Sequence, residues 1–273
     1  MSEAALRRAA AAWLAQGRAA MVVQVIEAQG STPREAGARM LVSADAAEGT
    51  IGGGHLELQA IAQARMRLQQ DDPAPTERRY ALGPSLGQCC GGAVTLRTRR
   101  LSAELLAQWP EPAPRFTLQL YGAGHVGQAI VRILGGIDCK VSWIDERDAG
   151  SGAPAQALPP HIERVCVDEV QAEVDHAPPG AAYLVLTHSH DLDLRIVEAV
   201  LRRRDFGYLG LIGSATKRAR FQHRLRERGI DEATLQRMAC PIGLPGVTGK
   251  EPAVIAVAVV AQLLQATARR DAG

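Results

Sequence analysis

Apolar positions recur at helical spacing through Ala4–Gln16, and the apolar run Ala20–Glu27 predicts a strand behind that helix. A turn at Gln29–Pro33 and a second strand over Ala38–Val42 follow. The glycine turn Thr50–Gly54 leads into His55–Leu68, where Leu58, Ile61, Ala62 and Met66 keep a helical period. A further glycine-rich loop spans Gly83–Gly92, and the alternation over Ala93–Arg97 predicts a strand. Trp109–Pro114 then breaks the pattern, because prolines at 110, 112 and 114 can neither continue a helix nor sit inside a sheet. Two other Pro-rich patches, Asp71–Thr76 and Gly150–Pro160, read as loops. Beyond the break the period switches regularly, with strands predicted at Phe116–Tyr121, Lys140–Ile144, Arg164–Val167, Ala182–Thr187 and Tyr208–Ile212. Alternation of strands and helices calls for a parallel sheet covered on both faces. The chain is therefore read as an α/β protein: an N-terminal α/β domain over 1–108, a linker over 109–115, and a doubly wound parallel-sheet domain over 116–273.

Composition narrows the function classes. With 47% hydrophobic and 22% charged residues, the 273-residue chain can bury a core, which excludes disorder. A net charge of +2 and 4% aromatic residues give neither a basic field nor a stacking platform, so no nucleic-acid partner is expected. The longest apolar run, Ala253–Ala261, falls well short of the ~20 residues that span a bilayer, so no membrane association is expected. Arg7-Arg8 lacks the long apolar region of a twin-arginine signal and reads as part of a helix stopped at Gly17. Five cysteines without a C-x-x-C pair do not fit a secreted disulfide framework, and a cytoplasmic location is expected.

Four stretches carry candidate chemistry. Gly122-Ala-Gly124-His125-Val-Gly127 follows a strand and opens a helix, with Asp145 closing the next strand about 20 residues on. That context predicts a Rossmann fold. Whether the turn holds a dinucleotide, with Asp145 receiving ribose hydroxyls, or is only a tight turn stays open. Thr187-His188-Ser189-His190-Asp191 stands at the ligand edge of such a sheet. It departs from a metallo-hydrolase order by register, which leaves a cofactor pocket or a helix cap. Gly52-Gly53-Gly54-His55-Leu56-Glu57 enters a helix, so its amides and positive dipole end suit an anion or a carbonyl-rich heterocycle, or else it is a plain turn. Gly87-Gln88-Cys89-Cys90-Gly91-Gly92 places vicinal thiols among glycines, open to a thiophilic metal or to sulfur transfer. A basic stripe at Lys217, Arg220, Arg224 and Arg228 reads as a solvated helix face, with phosphate or partner docking as the other reading.

Taken together, Gly30–Arg34, Gly37–Met40, Gly49–Glu57 and Gly87–Gly92 resemble the N-terminal domain of the XdhC/CoxI family. Tyr121–Gly127, Thr187–Asp191, Gly210–Ser214 and Cys240–Leu244 are similar to that family's Rossmann domain. The resemblance implies a non-enzymatic accessory factor. Such a factor binds the molybdenum cofactor (Mo-molybdopterin), protects it during sulfuration, and delivers it to the molybdenum-binding subunit of xanthine dehydrogenase. It works beside a cysteine desulfurase, commonly as a homodimer. Carried onto this chain, Cys89 and Cys90 would face molybdenum or its sulfur, with Gln88, Gly91 and Gly92 around them, and Gly52–His55 with Glu57 would meet the pterin. Gly122, Gly124, His125, Gly127, Asp145, Gly213 and Ser214 would line the Rossmann crevice, and His188, His190 and Asp191 a shared cleft. Two other classes compete: an NAD(P)-dependent oxidoreductase and a ligand-sensing regulatory module. The first has no evident catalytic pair, since neither Tyr183 nor Tyr208 has a lysine four residues on; the second would need no cysteine loop.

Overall fold

A computed structural model describes residues 1–70, 74–82, 91–147 and 157–268. The chain divides between Pro112 and Ala113 into two compact units.

In the first unit the elements run α1 (Glu3–Ala15), β1 (Ala20–Gln29), β2 (Arg39–Ser43), β3 (Ala47–Gly49), α2 (Gly54–Gln69), β4 (Thr76–Ala81), β5 (Ala93–Arg100) and α3 (Ala103–Gln108). The strands pair antiparallel in the order β3-β2-β1-β5-β4. β1 is central and covered on both faces, so its first four residues are apolar without alternation. Met21, Val23 and Val25 cluster with Leu56, Ala60 and Ala64 of α2. Ala20 and Val22 cluster instead with Leu6, Ala10 and Trp13 of α1 and Leu105 of α3. The Ser2 hydroxyl accepts from the Ala5 amide and caps α1, which fixes where that helix begins. β4 escaped the hydrophobic pattern because it is an edge strand with one buried residue, Tyr80.

The second unit contains β6 (Thr117–Tyr121), α4 (His125–Leu134), β7 (Lys140–Asp145), β8 (Ile162–Cys166), a 3-10 turn over Val170–His176, and β9 (Ala182–Val185). It continues with α5 (His190–Arg203), β10 (Tyr208–Leu211), α6 (Ala215–Glu227), α7 (Glu232–Gln236), β11 (Met238–Ala239) and α8 (Pro252–Ala268). The strands pair parallel in the order β11-β10-β9-β6-β7-β8. On one face Leu118, Leu120, Trp143 and Leu184 pack with α4 and α8. On the other, Tyr121, Tyr183 and Leu209 pack with α5 and α6. This is the doubly wound Rossmann architecture, whose winding reverses between β6 and β9 and opens a crevice at their carboxyl ends. Thr187 and Ile212, expected inside strands, lie just past the ends of β9 and β10, in the loops that border that crevice. The Ala253–Ala261 run lies within α8, which packs Ala256, Val259, Val260 and Leu263 into the core. Among the described residues no helix is long and apolar enough to cross a membrane.

Candidate functional site

Three motif loops meet at one end of the first unit. A Cβ on Gly92 would lie 2.4 Å from the Gln29 carbonyl oxygen and 2.5 Å from that of Ser31, so the backbones touch there and only glycine fits. The Leu82 amide donates to the Gly92 carbonyl at 2.7 Å, which ties the end of β4 to the same place. Gly52, at φ +127°, lies against Pro33: a Cβ would sit 2.5 Å from the proline Cγ. The Gly30–Arg34 turn is thus clasped by Gly92 on one side and Gly52 on the other. Gly53 and Gly91 have open space where a side chain would stand, so an incoming group can approach their backbone. Gln88, Cys89 and Cys90 lie outside the described residues.

The glycine nest before α2 differs from its expectation as a set of free donors. One carboxylate oxygen of Glu57 accepts from the Thr50 hydroxyl at 2.6 Å and from the Ile51 and Gly53 amides at 3.0 Å each. Glu57 turns back because it sits one turn into the helix, where its charge also suits the positive end. Its role here is to hold the loop, and the amides of Ile51 and Gly53 are not free for an external anion. His55 is exposed, with Nε2 3.0 Å from Gln59 Nε2.

In the second unit Gly122 adopts φ +115° and passes so close to Leu186 that a Cβ would lie 2.3 Å from that carbonyl oxygen. Gly124 faces open space, and exposed His125 begins α4. Trp143 Nε1 donates to the Gly122 carbonyl at 3.0 Å, anchoring the turn from β7. Asp145, expected to receive ribose hydroxyls, is already saturated. Its Oδ2 accepts from the Ala123 amide at 2.5 Å and Arg147 Nη2 at 2.9 Å; Oδ1 accepts from Arg147 N at 2.9 Å and Nε at 2.8 Å. A carboxylate offers about four acceptor positions, so none is left for a ribose hydroxyl. Arg147 was missed because only the fold brings its side chain back onto Asp145.

Burial alone would raise the Asp145 pKa, but bonds from Arg147 and the Ala123 amide outweigh it and hold the group at about 2, below the ordinary 3.8. A depressed carboxyl contributes stability that is complete above the unfolded pKa and disappears as pH falls through the folded one. Asp145→Asn is therefore expected to cost about 2 kcal/mol near pH 6. Urea midpoints should show that gap narrowing as pH falls from about 4 towards about 2, and a gap constant with pH would contradict the assignment.

Beyond β9, in the first turn of α5, Asp193 is fully buried. Its Oδ1 accepts from the Thr187 amide at 3.0 Å and hydroxyl at 2.7 Å, and its Oδ2 from Lys217 Nζ at 2.6 Å. Lys217 also donates to the Ile212 carbonyl at 2.9 Å. The pair joins the Thr187–His190 loop to the Gly213-Ser214 loop, where the Ser214 hydroxyl caps α6 and Gly213 makes room for the lysine stem. Lys217 thus leaves the solvated face assigned to the basic stripe. The arginines of the stripe also point at α5 and its N-terminal turn: Arg220 donates to His190 Nδ1 at 2.9 Å, Arg224 pairs with Asp191 at 3.4 Å, and Arg228 pairs with Glu198. His188 is half exposed and 3.4 Å from Glu146. Ser189, rather than Asp191, caps α5. Among the described residues no three His, Cys, Asp or Glu side chains are grouped to hold a metal. Burial raises the pKa of the Cys240 thiol against the opposing effect of Lys217, which keeps it protonated at neutral pH. Past Cys240, a cavity of about 350 Å³ opens between the 241–249 loop and the first turns of α8, with Ile242, Leu244, Val254 and Ala258 in its wall.

Residues 118–263 match the XdhC Rossmann domain, and residues 13–81 match the XdhC and CoxI family. The uncharacterized protein YqeB of Escherichia coli K12 is 30% identical over 249 residues, which cover 89% of this chain but 43% of YqeB. The chain thus spans less than half the length of that relative. A crystal structure of a xanthine dehydrogenase from Bacillus halodurans superposes with a TM-score of 0.77 at 20% identity, covering 99% of this chain and 97% of that one. That likeness shows a shared fold.

Proposed function

Because the chain belongs to the XdhC and CoxI family, we propose that it is an accessory factor in xanthine dehydrogenase maturation. It binds the molybdenum cofactor, shields it while the terminal sulfido ligand is added, and passes it to the molybdenum-binding subunit of the enzyme. A cysteine desulfurase supplies the sulfur, and the factor works as a homodimer. No turnover of a metabolite is assigned to it.

The observation that carries this reading is the convergence of the Gly30–Arg34, Thr50–Gly54 and Gly91-Gly92 loops at one end of the first unit. Open space over the Gly53 and Gly91 backbone suits a flat heterocycle, because such a ring needs close approach to the chain. The neighbouring Cys89 and Cys90 supply soft donors, which suit molybdenum or its sulfur better than any oxygen ligand does. Saturation of Asp145 withdraws the ribose acceptor that favoured an oxidoreductase.

Maturation of xanthine dehydrogenase tests the role. Enzyme assembled with the Cys89→Ser/Cys90→Ser variant should carry less sulfurated cofactor and proportionately less activity than enzyme assembled with the wild type. Equal activity from both would count against the proposal.

A further inference from the structure

The saturation of Asp145 leaves an excess of positive charge beside it. Trp143 lies opposite Arg164 in the β7–β8 register, and Asp145 is two residues further along β7 on the same face. Arg164 is therefore a diagonal neighbour of Asp145. Its guanidinium lies over the Trp143 ring at 4.4 Å from the centroid, which holds the cation by its face. Its edge is unsatisfied: Nε and Nη1 are buried and have no hydrogen-bond acceptor among the described residues. Buried donors left idle are costly and call for a partner. Arg147 cannot supply one, since it is itself a cation, and Asp145 has no acceptor position left. Glu146, the next carboxylate along the chain, turns to His188. Burial lowers the Arg164 pKa, only partly opposed by the nearby Asp145 charge.

We propose that Arg164 and Arg147, at the carboxyl end of β7 and β8, form a subsite for a phosphate monoester. Two guanidinium groups beside one carboxylate leave a net positive charge for a phosphate, and an arginine at this place in a Rossmann crevice can take a ribose 2′-phosphate. The same chemistry is offered by two sources: a 2′-phosphorylated nucleotide, or a phosphate carried on a non-nucleotide molecule such as a pterin cofactor. Only the second source rests on the maturation reading above.

Calorimetric titration of the full chain with 2′,5′-ADP, 5′-ADP and inorganic phosphate separates these cases. The expected result is binding of 2′,5′-ADP about tenfold or more tighter than 5′-ADP, the advantage of one charge-assisted contact. Arg164→Met, which keeps an apolar stem over Trp143, should erase that advantage and leave the melting temperature unchanged or raised, because it removes two buried donors that have no acceptor. If inorganic phosphate binds as tightly as 2′,5′-ADP, and equally through Arg164, the site takes a phosphate without a nucleotide. Failure of all three probes to bind, or binding that survives Arg164→Met, would overturn the proposal. So would a marked drop in melting temperature with unchanged affinity, which would make Arg164 a structural cation. None of these outcomes depends on molybdenum content, so the maturation reading stands or falls separately.

Discussion

Asp193→Ala is expected to destabilise the second unit by about 3–5 kcal/mol, the cost of breaking a buried ion pair from one side. The substitution strands the Lys217 ammonium, whose side chain is only 9% exposed, and deprives the Thr187 amide of its acceptor. Against a typical total of about 5–15 kcal/mol, that loss is a large fraction of the fold's stability. Lys217→Met should cost a comparable amount, because it leaves a carboxylate buried without its counter-ion. The double variant Asp193→Asn/Lys217→Met removes both charges, while the amide oxygen introduced at position 193 can still accept from Thr187. It should recover most of the loss, since a neutral replacement of a buried pair is often close to neutral in stability. Urea denaturation of the three variants measures this. Single variants within about 1 kcal/mol of wild type would show that the pair is not the clamp between the two loops.

Gly127→Val should also be severe. A Cβ at this position would lie 2.2 Å from the Gly122 carbonyl oxygen, a backbone atom fixed from the other side by Trp143. Neither α4 nor the glycine turn can yield without disturbing the other, so the cost should reach or exceed the upper end of the roughly 1–3 kcal/mol usual for overpacking. A parallel change at Gly124, where a side chain meets open space, should cost much less stability. Equal denaturation midpoints for Gly127→Val and wild type would contradict the packing described here.

The contrast between these glycines explains how far the sequence can be read. The Gly122–Gly127 pattern with its flanking strand and helix announced a Rossmann turn because each glycine answers a steric demand that no other residue meets. The same pattern could not reveal that Asp145 is saturated, since that depends on how the Arg147 side chain folds back. Glu57 was legible as part of the glycine turn that enters a helix but not as the loop's own anion, because the nest forms only when α2 begins at Gly54. Lys217 hid inside an arginine stripe; the signal available was that it is the stripe's only lysine, with no arginine fork to match the narrow gap beside Asp193. β4 and β3 were invisible to hydrophobic patterning, one polar at a sheet edge and the other three residues long. The Pro241–Gly249 loop and its cavity carry no periodic signal at all.

In the proposed role the clasped loops of the first unit, with the Cys89-Cys90 pair, hold a molybdenum cofactor. Molybdenum and pterin per chain, measured after exposure to the cofactor and beside thermal melting, test it most directly. The wild type should retain both in equal amounts. Cys89→Ser/Cys90→Ser should lose most of both and melt at the same temperature, because glycines at 87, 91 and 92 leave that loop little side-chain packing to lose. Wild-type protein without pterin, or a double variant that keeps its full complement, would contradict the account.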